Sequence, residues 1–316
     1  MWLMEVNMIY ESIFKGTKSI VIESEKLKVI VLPELGGKLA SIFNKPKEFE
    51  LLFQNKADTY KKAGIYEDFG NYDASGFDDA FPSINEGMVP VGGEVIKYPD
   101  HGEIWTMAFS REIAGEKLVL HGVSSILSYE YKKILSVQGD QLLIQYIINN
   151  TGTADIPCLW AMHCLIRCEE DMELIFPEGT KEIRNVYKSK YLGEVDRIHP
   201  YPSVLMEDGS EFRLDRIFPE NAGKCEKYYV NGKVDTGMCG AYYPGRDVAY
   251  RVYFHKERLP YLGFWLTEGG FRGDYNCAME PANGFYDSIA TALKNNAVYN
   301  LKAGEALTFD LKIELK

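Results

Sequence analysis

Hydrophobic positions along this chain recur every second residue in short runs, and glycine, proline, asparagine and aspartate separate the runs. A period of two places successive side chains on opposite faces of an extended backbone, so the pattern predicts half-buried strands. Residues 19–22 and 27–32 are two such runs, the second stopping at Pro33 ahead of Gly36-Gly37. Residues 118–121 and 125–131 follow, and Gly139-Asp140 turns the chain into 141–148, which reads as a hairpin. Asn231-Gly232, set between Tyr228-Tyr229-Val230 and Lys233-Val234, predicts a second hairpin, and 249–254 and 307–315 complete the series. A helical period is confined to 58–63 and 288–294, both too short to build a layer of helices. The expectation is a mainly β fold, read as one domain over residues 1–316, since no linker or fixed repeat divides the chain. Two turn-rich segments, 67–93 and 186–226, are too long for hairpin loops and too aromatic for disorder; ordered loops of this kind commonly carry binding residues.

One run stands apart. Residues 157–168 read as a buried strand with Trp160, Met162, Cys164, Ile166 and Cys168 on one face and Leu159, Ala161, His163, Leu165 and Arg167 on the other. The first face is core. A histidine within so apolar a run needs a polar partner or a cavity, because an unpaired buried polar group costs roughly 1–3 kcal/mol. His163 is therefore either a satisfied core histidine or a group that faces a ligand.

Three further stretches carry candidate chemistry. In 99–105 an extended backbone would put His101, Glu103 and Trp105 on one side, a polar and aromatic face suited to a hydroxylated ligand; the alternative is a surface turn. Asp78 and Asp79 sit between Phe77 and Phe81, as ligand-binding carboxylates or as part of a solvated turn or cap, and the other ligands of a calcium loop are missing from the segment. In 276–285 alternation points Cys277 and Met279 one way and Asn276, Ala278 and Glu280 the other, with Pro281 fixing the strand's end. Glu280 is then a solvent-facing terminus or a carboxylate held at a cleft, and Trp265 upstream is a stacking platform or a core residue.

Composition narrows the partners. The 316 residues are 46% hydrophobic and 13% aromatic, ample for a core, and the net charge is -11. With that charge and no long basic block, a nucleic-acid or anionic-membrane surface is not expected, which leaves neutral small molecules. The first eight residues lack a basic leader followed by a long apolar run, and no stretch reaches the roughly 18 apolar residues of a span, so a cytoplasmic protein is expected. The six cysteines show no C-x-x-C pair and read as free thiols, with no metal site.

Taken in order, these stretches resemble the galactose mutarotase (aldose 1-epimerase) superfamily, nearer its less characterised bacterial members. The likeness runs from Leu32-Pro33-Glu34-Leu35-Gly36-Gly37 through Asp100-His101-Gly102 and Asn149-Asn150-Thr151-Gly152 to His163. It continues through Leu259-Pro260-Tyr261-Leu262-Gly263-Phe264-Trp265 to Met279-Glu280-Pro281. The resemblance implies a large antiparallel β-sandwich that holds a monosaccharide or sugar derivative on a concave face, as a monomer or homodimer and without a cofactor. It also implies His163 and Glu280 as the catalytic pair and His101 as a substrate-binding histidine, with Asp78, Asp79, Trp105, Trp265 and Arg167 as further candidate contacts. The chain departs from the mutarotase pattern after His163, where Cys164-Leu165-Ile166 replaces a proline-tyrosine-phenylalanine run, and only Asp235 lies near the place of the family's sugar-binding aspartate.

Interconverting the anomers of an aldose requires a proton to leave the anomeric hydroxyl while another reaches the ring oxygen. That calls for a base and an acid on opposite sides of the sugar, roles open to a glutamate and a histidine. Two other readings use the same scaffold. One is a non-catalytic carbohydrate-binding domain; the other is a hexose-phosphate 1-epimerase, which needs a cationic clamp, for which Lys38, Arg167 and Arg272 are candidates.

Overall fold

The structure, a computed structural model, describes residues 7–206 and 208–316. Residues 1–6, on which most of the reading of the N-terminus rests, lie outside them. The runs of period two become strands: Leu27–Leu32, Tyr129–Gln138, Gln141–Asn150, Val248–Phe254 and Ala306–Leu315 all form where alternation predicts them. Along Tyr129–Gln138 and Gln141–Asn150 buried and part-exposed positions alternate, so one face of each strand enters the core.

Among the described residues, thirteen strands form one antiparallel sheet and eight another. The centre of the larger runs Lys38–Asn44, Phe77–Ala80, Ala161–Cys164, Tyr275–Ala282, Tyr261–Glu268, Lys224–Val230. The smaller places Ala306–Leu315 between Val248–Phe254 and Gln141–Asn150. A single apolar cluster draws on both sheets, which makes the fold a β-sandwich. At its middle Trp160 Nε1 donates to the Tyr131 hydroxyl at 2.8 Å, and Tyr146 stacks on Phe309 with ring centroids 4.9 Å apart. Each such aromatic, fully withdrawn from water, stabilises the fold by roughly 1.5–3 kcal/mol.

Register in the larger sheet decides what faces outward. Asp78 pairs with His163, Glu280 with Gly263 and Gly263 with Tyr229, while the Ala161–Ala282 pair aligns the two strands that carry His163 and Glu280. One row across the sheet is therefore Asp78, His163, Glu280, Gly263, Tyr229. Their chain neighbours Asp79, Met162, Met279 and Tyr228 point to the other face and are buried there.

Several expectations fail for reasons of packing. Asn231-Gly232 does not close a hairpin, because Lys224–Val230 already pairs with Tyr261–Glu268 on one side and Glu182–Asn185 on the other. Asn231 instead donates its N–H to the Glu182 carbonyl at 3.0 Å, and the chain leaves for the second sheet. Residues 58–63 form no helix: Lys15 Nζ takes the Ala57 carbonyl and Asn55 Nδ2 the Thr59 carbonyl, and Tyr60 packs on Phe14. The run 157–168 breaks into Ile156–Cys158, Ala161–Cys164 and Ile166–Arg167, since Leu159 N donates to Pro82 O and Leu165 N to Gly76 O, both outside the ladder. Residues 99–105 are a turn followed by the 3-10 turn Ile104–Thr106, and the strand expected from 125 starts at Tyr129. The helical run at 288–294 does form as Ile289–Lys294, with Ser288 capping it by accepting the Thr291 N–H. No helix among the described residues is long and apolar enough to cross a membrane. The six cysteines are free thiols.

Candidate active site

Glu280 stands near the end of the Tyr275–Ala282 strand, on the outer face of the larger sheet. It is 1% exposed, and neither carboxylate oxygen has a hydrogen-bond partner among the described residues. The room around it comes from Gly263 on the neighbouring strand: a Cβ there would lie 3.0 Å from Glu280 Oε2 and 3.1 Å from the Tyr229 ring. Across that gap Lys227 Nζ comes to 3.7 Å from Oε2 and 3.0 Å from Asp287 Oδ2, and the Tyr229 hydroxyl donates to Asp287 Oδ1 at 2.7 Å. Burial raises the Glu280 carboxyl above its ordinary value, against the pull of Lys227.

His163 faces Glu280 by register from the adjacent strand. Burial holds its imidazole well below the usual value, and the charges of His101, Lys227 and Lys38 push the same way, so it is neutral at pH 7. Phe69 sits beside both histidines, stacked on His101 with centroids 4.3 Å apart and edge-on to His163 at 5.1 Å. The two imidazoles are themselves 5.0 Å apart. His101 reaches this place through an unusual backbone, φ +56°, with Gly102 at +73° behind it. Gly102 is required there, because a Cβ would lie 2.0 Å from the Phe81 carbonyl oxygen. His101 Nδ1 shares a hydrogen bond with Asp100 Oδ1 at 2.9 Å, while Asp100 Oδ2 accepts the Phe69 N–H at 2.9 Å. Although burial opposes it, the His101 bond keeps the Asp100 carboxyl below its ordinary value.

Together these groups form the floor and one wall of a cleft of about 570 Å³, a size typical of sites for small ligands. Trp265, Asn276, Phe271 and Arg272 also line it. Five acids line the cleft, Asp68, Asp100, Asp274, Glu280 and Asp287, against the cations Lys227 and Arg272. No group of three or more His, Cys, Asp or Glu side chains among the described residues is arranged to hold a metal ion.

A family model described as a domain of unknown function (DUF5107) matches residues 10–276. The chain belongs to the DUF5107 family. No curated protein matches it. Solved structures similar to this DUF5107 chain include a galactose mutarotase-like protein from Lactobacillus casei ATCC 334, at 17% identity and TM-score 0.70, covering 94% of this chain and 100% of that one. A galactose mutarotase related enzyme from Lactobacillus acidophilus aligns at 12% identity and TM-score 0.68, over 94% and 97%. A galactose mutarotase-like protein from Clostridium acetobutylicum aligns at 16% identity and TM-score 0.65, over 98% of each chain. The fold is thus the galactose mutarotase-like sandwich.

In the DUF5107 chain, His163, His101, Glu280 and Trp265 meet in the cleft, whereas Asp78, Asp79, Trp105 and Arg167 do not line it. Asp79 points into the core, where it binds Lys133 at 3.0 Å and accepts the Tyr146 hydroxyl at 2.8 Å. Asp78 shares the outer face but is sealed against Lys38 at 2.5 Å. Trp105 is 8% exposed, packs behind Phe69, and spends its indole N–H on the Asp100 carbonyl. Glu103, expected beside His101, turns away to accept from the hydroxyls of Ser124 and Ser125. Arg167 lies over Phe49 and pairs with Glu169 at 2.9 Å, away from the cleft. Asp235 is exposed beside Gly179. The proposed cationic clamp does not assemble: Lys38 is closed in by Asp73 and Asp78, and of the three candidates only Arg272 lines the cleft.

Sequence reasoning missed Lys227, Asp287, Tyr229 and Phe69. For Lys227 a signal was present: alternation along Lys224–Val230 places it with Tyr229 on the face opposite Tyr228 and Val230, an odd place for a lysine unless it meets a carboxylate.

Proposed function

We propose that the cleft binds a free aldose and interconverts its anomers, an aldose 1-epimerase activity with Glu280 as base and His163 as acid. The observation that carries this reading is the Glu280 carboxylate, buried beside His163 with neither oxygen hydrogen-bonded among the described residues, although Lys227 stands 3.7 Å away. An unpaired group of this kind costs roughly 1–3 kcal/mol, which a sugar hydroxyl donating to it would offset. The two groups stand on adjacent strands rather than on opposite sides of the sugar as expected, an arrangement that still serves because the anomeric hydroxyl and the ring oxygen share one carbon. Glu280 takes the hydroxyl proton; His163, neutral, offers its N–H to the ring oxygen, a role a neutral imidazole can fill. The ring opens, the carbonyl turns over, and closure returns both protons. His101 and Asn276 hold ring hydroxyls, and Trp265 offers a face to the apolar side of the sugar.

The names carried by structures of the same fold support a sugar ligand. The acidic lining and the lack of a cationic clamp favour a neutral sugar over a phosphorylated one. Magnetisation-exchange NMR on a panel of aldoses tests the reading. At least one neutral aldose should exchange faster with the protein present, and Glu280→Gln should slow that exchange by at least about 10², or about 2.7 kcal/mol, with His163→Asn comparable. A folded Glu280→Gln protein within threefold of wild type would remove the base assignment. Sugar binding with no acceleration for any aldose would favour a binding domain.

A further inference from the structure

Lys227 occupies a position with a specific electrical consequence. It lies on Lys224–Val230, two strands from Glu280, and adjacent strands stand about 4.8 Å apart. The lysine reaches the carboxylate on a diagonal: Lys227 pairs with Trp265 and Glu280 with Gly263, whose missing side chain leaves Glu280 Oε2 uncovered on that side. Its ammonium is divided between two acids, 3.0 Å from Asp287 Oδ2 and 3.7 Å from Glu280 Oε2, the first a hydrogen-bonding distance and the second not. Asp287 is fixed independently: the Tyr229 hydroxyl donates to its carboxylate, and its backbone carbonyl accepts the N–H groups of Ile84 and Asn85.

The groups that bear on Glu280 come from every neighbouring element. His163 faces it from Ala161–Cys164, Lys227 and Tyr229 from Lys224–Val230, His101 from the turn after Glu94–Tyr98, and Asp287 from the segment ahead of Ile289–Lys294. Lys227 is the one lysine or arginine among them. A carboxylate this deeply buried takes up a proton near neutrality unless a cation stands beside it, and a protonated Glu280 cannot act as a base.

We propose that Lys227 is a positioning residue that keeps Glu280 ionised before a sugar binds, and that Asp287 limits how far it does so. This rests on the epimerase reading for its catalytic meaning, though not for its physical content. The two partners act in opposite senses. Lys227→Met leaves Glu280 buried beside a second carboxylate, so Glu280 binds its proton more tightly. Asp287→Asn gives Glu280 the whole of the lysine charge, so it releases its proton more readily and becomes a weaker base.

The direct test is the titration of the Glu280 side-chain carboxyl carbon by NMR in ¹³C-glutamate-labelled protein without sugar, the signal assigned by its loss in Glu280→Gln. Lys227→Met should move the midpoint up by at least one pH unit and Asp287→Asn should move it down. The anomer-exchange rate, measured against pH, should follow. The low-pH limb shifts upward in Lys227→Met, with about tenfold or more lost at pH 6 and much of it regained at pH 9; in Asp287→Asn it shifts downward. A midpoint that moves less than 0.3 unit in either variant, or moves in the same direction in both, overturns the proposal, and so does an activity loss in Lys227→Met that is equal at every pH. If Lys227→Met does not fold, the downward shift in Asp287→Asn decides alone. Opposite shifts in a protein that accelerates no anomer exchange would uphold the Lys227 assignment and sink the epimerase reading instead.

Discussion

Asp79 offers the sharpest separation of a structural role from a functional one. In sequence it reads as half of a carboxylate pair suited to sugar hydroxyls, but in the structure it and Lys133 form an ion pair with both side chains at 0% exposure. Lys133 Nζ has little else: the Gly37 carbonyl at 3.4 Å and the rings of Phe77 and Tyr146 at 4.9 and 5.6 Å. Asp79→Asn keeps the shape and leaves the ammonium buried without a counter-charge, a change that costs about 3–5 kcal/mol in comparable pairs. It also weakens the Tyr146 bond, from one to a charged acceptor to one between neutral groups. Against a total stability of roughly 5–15 kcal/mol, that is a large share. Urea unfolding followed by tryptophan fluorescence should show the midpoint falling accordingly. The double variant Asp79→Leu/Lys133→Met should recover most of the loss, since the desolvation of both ions disappears with them. Sugar affinity of the folded single variant should stay within about threefold of wild type. The reasoning is refuted by destabilisation below about 1 kcal/mol, or by lost sugar affinity at an unchanged unfolding midpoint.

Two other variants probe different parts of the molecule. Glu226 is 1% exposed with both oxygens unpartnered, and burial pushes its carboxyl up to about 7. Its folded value lies above the unfolded one, so the folded state holds a proton that the unfolded state releases between about pH 4.5 and 7, and stability falls as pH rises through that window by about 3 kcal/mol. Glu226→Gln should match wild type at pH 4 and exceed it by up to about 3 kcal/mol at pH 8; unfolding curves at pH 4, 6 and 8 with the same pH dependence in both proteins would count against this. Gly102→Ala forces the backbone away from the Phe81 carbonyl and moves His101, so anomer exchange should fall at least about tenfold in kcat/KM. Gly304→Ala, also at positive φ but with nothing within 4 Å of the added carbon, should leave exchange unchanged.

The strands were legible because their cause is local: alternate residues enter one core, and Tyr129–Gln138 with Gln141–Asn150 shows this along its whole length. What failed depended on distant chain. Asn231-Gly232 has the residues of a tight turn, but the strand before it has no free edge. Gly102 marks 99–105 as a turn, but its buried course is set by where Phe81 and Ile84 dock against it, through Glu103 N to Phe81 O and His101 N to Ile84 O, and those partners are distant in the chain. The same division holds for the site. His163 and Glu280 were visible as polar groups in apolar runs, whereas Asp78 and Asp79 looked equivalent until register sent them to opposite faces. Lys227 and Asp287 become meaningful only when the fold brings both to Glu280 from distant segments.

The place of Ala306–Leu315 bears on how the protein comes to exist in a cell. That strand lies inside the smaller sheet and joins two pieces that do not otherwise pair, one ending at Gln141–Asn150 and the other at Val248–Phe254. Its Phe309 also completes the packing around Trp160. During synthesis the first piece emerges long before its partner strand, and at roughly 5–20 residues per second it waits on the order of ten seconds with an unpaired edge. All the residues of the cleft have been made by then, but the core beneath them is unfinished. Until that strand arrives, the sheet edges at Gln141–Asn150 and Val248–Phe254 stay open, and open edges of this kind are what a chaperone covers.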